Sequence, residues 1–159
     1  MFVLWVKKTV KLILSPNKLL EQESTPVTKF DEALRLKDQK MHHLMLTWKG
    51  IGLSAVQVGW TKQLMVINTM QADKERGRKL TIINPEILDK SGAFVHNEGC
   101  LSFPSLYVTN ERPDKVLIKY QDVNAEFKET ELVGITAFCF LHELDHFHGQ
   151  LLDKLIKKG

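Results

Sequence analysis

Apolar positions along this chain recur first at helical, then at strand, then again at helical spacing. Thr28 and Asp31 stand three apart like a helix-start box, and Ala33, Leu34, Met41, Leu44, Met45 and Trp48 follow at near-helical intervals until Gly50. A first helix is predicted there. From Leu64 to Tyr120 the pattern shortens to β-prone runs (LMVIN, LTIIN, AFVHN, KVLIKY) separated by Gly77, Asn84-Pro85, Gly92, Pro104 and Pro113. These read as strands and turns. Near Glu129 to Glu131 helical spacing returns and runs to about His148, with Leu132, Ile135, Phe138, Cys139, His142 and His146 along one stripe. The prediction is an α+β chain whose second helix is largely buried.

Composition narrows this picture. A length of 159 residues with 43% hydrophobic content suits one compact domain, 1–159, and no repeat, low-complexity tract or linker divides it. The longest apolar run, Phe2 to Val6, is far shorter than the roughly 20 residues of a membrane span and lacks the flanks of a signal peptide. A soluble, unsecreted protein with no membrane partner is expected. Net charge is only +3, so Lys7, Lys8, Lys11, Lys154, Lys157, Lys158 and the KERGRK segment (Lys74 to Lys79) read as solvated surface rather than a specific nucleic-acid footprint. Cys100 and Cys139 cannot form a disulfide framework and fit a reducing compartment such as the cytoplasm.

The chemistry concentrates in HELDHFHG, His142 to Gly149. Two histidines four apart, with a glutamate after the first, put a divalent metal and a general base on one helical face. A third ligand must come from elsewhere. After His146 the only side-chain carboxylate is Asp153, and a third histidine at the HExxHxxGxxH position is replaced by Leu152. Asp145 and His148 fall on other faces of the helix. Cys139 lies about 7.5 Å along the axis from the midpoint of the two histidines, too far for a short side chain and a bond of about 2.3 Å. It reads as a small buried hydrophobe. His96 and Cys100 remain, in HNEGCLSFP, and the thiolate is preferred because Gly99 lets the backbone approach. One cysteine and two histidines leave a tetrahedral ion one open position, the catalytic form. A further segment, GIGLSAVQVG (Gly50 to Gly59), suggests backbone exposed along a cleft, with Gln57 as an amide donor. It has neither of the phosphate-loop endings.

In order, GIGLSAVQ, EGCLS and HELDH closely resemble the three signature motifs of the peptide deformylase family, and the surrounding spacing extends the likeness over most of the chain. The resemblance implies antiparallel strands around a central helix carrying HELDH. It implies a metal-dependent amidohydrolase that removes the formyl group from formyl-methionyl N-termini of nascent proteins, releasing formate. Carried over to this chain, it makes Cys100, His142 and His146 the metal ligands, as the elimination does, and Glu143 the general base and acid. The Gln57 amide and the Leu101 backbone N–H are implied as donors to the oxyanion. Ferrous iron is implied as the native ion, with Zn(II), Ni(II) or Co(II) able to replace it. Ile51, Gly52 and Gly99 are expected along the peptide, which adds as a strand, while Ile135, Phe138 and Cys139 are expected to line the methionine pocket. Glu98 and Arg112 are expected as an ion pair bracing the cysteine segment.

Some positions depart from the family. Ser54 stands where alanine is common, so its hydroxyl is expected either to find a backbone partner or to perturb the cleft wall slightly. Leu141 replaces a frequent glutamine, and Tyr107 replaces an arginine that contacts the distal peptide in many bacterial members, so weaker affinity for longer peptides is expected. The sequence ends at Gly159 without the long C-terminal helix that bacterial members dock on the ribosome. Any ribosome contact is then expected to be made otherwise, through Lys154, Lys157 and Lys158, and a monomer is expected. A viral or organellar source fits as well as a cellular one. Two rivals remain at this point. An HExxH metallopeptidase would cleave unformylated peptides, and a non-catalytic binder of formylated N-termini would release no formate.

Overall fold

In the computed structural model, residues 10–157 are described, the side chain of Lys157 excepted. The Phe2 to Val6 run, Lys7, Lys8 and Lys158 lie outside them. Helix α1 spans Glu32–Thr47, and strands follow as β1 Gly52–Ser54, β2 Leu64–Asn68, β3 Lys79–Ser91, β4 Phe94–Cys100, β5 Phe103–Arg112, β6 Lys115–Gln121 and β7 Phe127–Val133. Helices α2 Gly134–Phe147 and α3 Asp153–Lys157 close the order. Strands β1, β2, β3, β6 and β7 form one antiparallel sheet in that order, and β4 and β5 form a separate hairpin. The α+β class is as expected.

The strand LMVIN shows why the sheet sits between two helices. Four of its five residues are buried, with no polar face, as in a strand covered on both sides. Met65 and Ile67 pack with Ile82, Ala137 and Phe140 on the α2 side. Leu64 and Val66 pack with Ile83, Leu34, Met41 and Met45 on the α1 side. Strand β6 adds Val116, Ile118 and Tyr120 to the α2 side. Helix α2 thus lies against the sheet and also meets β4 of the hairpin.

Several local expectations change. The N-cap of α1 is Asp31, whose side chain accepts from Leu34 N–H at 3.0 Å, so Thr28 does not start the helix. The segment Phe127–Val133 is a strand, paired with β6 from Gln121↔Phe127 to Lys115↔Val133. The helical spacing expected from about Glu129 to Glu131 onward therefore begins too early, because cross-strand pairing with β6 overrides a weak local propensity. Helix α2 therefore starts at Gly134, and Leu132 belongs to β7. Gly134 has φ +58°, and a Cβ there would lie 2.8 Å from Arg76 Nη2, so glycine is favoured at this strand-to-helix joint. Asn84-Pro85 does not end β3. The strand continues through a register shift between Ile83 and Glu86, where it leaves β2 and joins β6. Asn84 pairs its side chain with Val27 N–H and C=O, both at 2.8 Å.

Among the described residues, the short edge strand β1 has only β2 as a strand neighbour. Its other edge is thereby left toward the cleft that Ile51 and Gly52 line. Among the described residues, no helix is long and apolar enough to cross a membrane. In KERGRK, Arg76 pairs with Asp73 at 3.1 Å and Arg78 donates to Thr130 Oγ1 at 2.6 Å, so its two arginines are engaged locally.

Candidate active site

Helix α2 is apolar on nearly every face, which makes His142, Glu143 and His146 costly to bury unless each has a partner. His142 Nδ1 lies 2.5 Å from Glu98 Oε1, which leaves Nε2 for the other side of the ring. Glu98 also accepts from Arg112 Nη2 at 2.7 Å, Arg112 Nε at 3.2 Å and Asn110 Nδ2 at 3.0 Å. Arg112 Nη2 reaches Asp145 Oδ2 at 2.9 Å. The expected Glu98–Arg112 pair is present, and it grips the metal-type helix as well as the cysteine segment. Burial alone would raise the Glu98 carboxyl, but hydrogen bonds and charge from His142 and Arg112 outweigh it and hold the pKa at about 2.

Alternation along β4 puts Glu98 and Cys100 on the same side of the hairpin, with a register shift after Gly99 adjusting the thiol. Cys100, His142 and His146 each offer a ligand atom, and these atoms lie within 4.8 Å of one another. Cys100 Sγ is 3.3 Å from His146 Nε2. A tetrahedral ion with bonds of about 2.3 Å to sulfur and 2.0–2.1 Å to nitrogen needs a sulfur–nitrogen edge of roughly 3.5 Å, so the three donors fit a metal. Burial lowers the His146 pKa to about 3, helped by His142, which keeps that imidazole in its neutral, ligating form. Burial works against a proton on His142, yet Cys100, Glu98 and Glu143 together raise its pKa well above the ordinary value.

His96, the other candidate for third ligand, is not in this group. Its ring stacks on Phe94 and lies edge-on to Phe138 at 5.2 Å. Cys139 is likewise outside the group. Its Sγ donates to Ile51 O at 3.5 Å, and burial, with the charges of Glu143 and Glu98, raises its pKa well above the usual thiol.

A cleft of about 650 Å³ opens over these groups. Cys100, His142 and Glu143 reach its wall, as do Glu98, Gly99 and Leu101. Ile51, Gly52, Ile135, Phe138 and Cys139 line it too, together with His96 and the half-exposed Trp48. Tyr107 stands at its rim, 65% exposed. Gly52 is buried where a Cβ would lie 2.5 Å from Cys139 Sγ and 2.7 Å from Glu143 Oε1, so no larger residue fits.

Glu143 is 3% exposed, and burial raises its pKa against the opposing influence of His142 and Ser54. Ser54 Oγ lies 2.8 Å from Glu143 Oε2 and 2.9 Å from Glu143 O. The expected backbone partner of that hydroxyl exists, and a carboxylate partner comes with it. Gln57 is buried behind Cys100. Its Oε1 accepts from Ser54 N–H at 2.9 Å, while Nε2 donates to Ser102 Oγ at 3.0 Å and lies 3.8 Å from Cys100 Sγ. Ser102, Asn110 and Asp145 were not identified as part of the site from sequence. Asp145 was weighed only as a ligand, although an acid one turn from His142 is also placed to hold a cation beside it.

Leu141 is buried in the core with no polar role. Of the lysines expected at a ribosome contact, Lys154 donates to Gly149 O at 3.2 Å, and the side chains of Lys157 and Lys158 lie outside the description.

The sequence matches the polypeptide deformylase family model over residues 9–159. A peptide deformylase of Wolinella succinogenes is 44% identical over 147 residues, 91% of this chain and 86% of that protein. One from Thermotoga neapolitana is 41% identical over 140 residues, 87% of this chain and 82% of that protein. The crystal structure of the Thermotoga maritima peptide deformylase superposes with a TM-score of 0.84 at 36% identity, covering 92% of this chain and 97% of that one. A peptide deformylase from Legionella pneumophila gives 0.84 at 35% identity, covering 92% and 85%. With a family match over nearly its whole length, the same fold and a metal-type Cys-His-His group beside a buried glutamate, the chain belongs to the polypeptide deformylase family.

Proposed function

We propose that this enzyme removes the formyl group of formyl-methionyl peptides with one divalent ion on Cys100, His142 and His146 and with Glu143 as general base and acid. The observation that carries this reading is the convergence of the three donor atoms within 4.8 Å beside Glu143, at the wall of a cleft. A divalent ion there would supply Lewis-acid polarisation of the formyl carbonyl and make water a usable nucleophile near neutral pH. Glu143 takes the proton of the attacking water and returns it to the departing amine. A carboxyl whose pKa is raised by burial is suited to both transfers. Negative charge on the formyl oxygen is met by Gln57 Nε2 and the Leu101 N–H, each such donor being worth about 100-fold to 1,000-fold in rate.

The peptide adds to the open edge of β1 at Ile51 and Gly52, opposite Gly99, with its methionine side chain among Ile135, Phe138 and Cys139. Tyr107, exposed at the rim, offers an aromatic surface and no charge to residues farther along the peptide. A thiolate with two imidazoles suits ferrous iron as the native ion and also accepts zinc, nickel or cobalt. The work belongs in the cytoplasm of the cell or organelle where formylated chains are made, on a monomer, with Lys154 near any ribosome contact. Formate release from a formyl-Met tripeptide tests the reaction, with the unformylated tripeptide beside it. Formate from the first and no cleavage of the second is expected, whereas cleavage of the second would make the chain a peptidase.

A further inference from the structure

Ser54 touches both groups that the proposed reaction needs to hold still. It is fully buried at the end of β1, where the strand runs into the turn Ala55–Val58. Its backbone N–H donates to Gln57 Oε1 at 2.9 Å, which sets the amide with Nε2 toward Ser102 and Cys100. Its side chain crosses to α2, with Oγ 2.8 Å from Glu143 Oε2 and 2.9 Å from the Glu143 carbonyl oxygen.

A glutamate side chain is long enough to adopt several rotamers, and its terminal torsion is broad. The single hydroxyl proton is shared between the Glu143 carbonyl, which anchors Ser54 to α2, and Oε2, whose torsion the contact restricts. Oε2 is tied to β1, and Oε1 is left against Gly52, where a Cβ would come within 2.7 Å of it. We infer that Ser54 is a positioning residue whose hydroxyl clamps Oε2 of Glu143 and so reserves Oε1 for the water and the amine of the reaction.

This rests on the role proposed for Glu143. The arm to Gln57 Oε1 is backbone and survives in Ser54→Ala, but the Ser54 side chain also faces the Gln57 backbone N–H in a capping box, so Ser54→Ala removes the clamp and that cap together, and the conformation of Glu143 itself is the readout that separates the two.

The test compares the parent, Ser54→Ala and Ser54→Thr for metal content, for kcat and KM on a formyl-Met peptide, and for the Glu143 conformation in crystals. In Ser54→Ala, metal content and KM are expected to stay within twofold while kcat falls about three- to tenfold. Crystals are expected to show Glu143 in more than one orientation in that variant and in one orientation in the parent. Threonine, which keeps a hydroxyl, is expected to recover most of kcat. Unchanged kcat with a single parent-like Glu143 would overturn the inference, as would a fall in kcat that only tracks lost metal. An active parent with an equally active Ser54→Ala removes the Ser54 assignment alone. A metal-loaded parent that releases no formate removes the proposed reaction and this inference together.

Discussion

Glu143 shares one turn of α2 with two metal-type histidines, and its surroundings decide what it can do. In the proposed reaction this carboxyl, 3% exposed and with its pKa raised by burial, carries the proton, and Glu143→Gln keeps the shape while losing that capacity. A fall in kcat of about 100- to 10,000-fold, with metal still bound, is expected from formate assays and metal analysis. Gly52→Ala should be harmful through contact alone. Its Cβ would press on Cys139 Sγ and Glu143 Oε1, and a loss of about 1–3 kcal/mol in denaturant titration is expected along with most of the activity. How legible these roles were depended on sequence distance. His142, Glu143 and His146 show themselves because helical spacing is local, and Cys100 came from elimination. Ser54 and Glu143 are 89 positions apart, and Gln57 and Ser102 are 45 apart. No spacing rule links such residues, so those contacts had to come from the fold.

Glu98 ties three elements together, since it lies on β4, binds Arg112 from β5 and orients His142 on α2. Glu98→Gln should lower metal affinity about 10- to 100-fold, measured by competition with a chelating dye. The same carboxylate predicts a pH dependence. Its folded pKa, about 2, lies below the ordinary 4.5, so its pairing contributes stability that is full above about pH 4.5 and lost as pH falls toward 2. Acid unfolding of the parent should show that window, and Glu98→Gln should flatten it. The junction of β7 with α2 makes a separate prediction. Gly134→Ala places a Cβ at φ +58° beside Arg76, and a loss of about 1–2 kcal/mol is expected in urea titration. The same junction was misread in sequence, where KETEL suggested helix. Pairing with β6 is a long-range fact, and the single positive-φ glycine that ends it looks like any other glycine.

Across the molecule, α1 and α2 cover the two faces of one sheet, and the β4–β5 hairpin brings Cys100 to α2. The α+β class was legible because LMVIN and KVLIKY are short β-prone runs set off by turn residues, between segments of helical spacing. The division into a sheet and a hairpin was not, because strand order is set by pairing that leaves no periodic trace. A metal held by Cys100 of β4 and His142 and His146 of α2 would brace the two elements, so chelation should lower the melting temperature and reloading restore it. The decisive measurement is anaerobic formate release from a formyl-Met peptide by protein loaded with ferrous iron or nickel, beside Glu143→Gln and Cys100→Ala. Formate from the parent and near-complete loss in both variants is the predicted result. No formate from the folded, loaded parent, or undiminished formate from Cys100→Ala, would contradict the reaction or the ligand set, respectively.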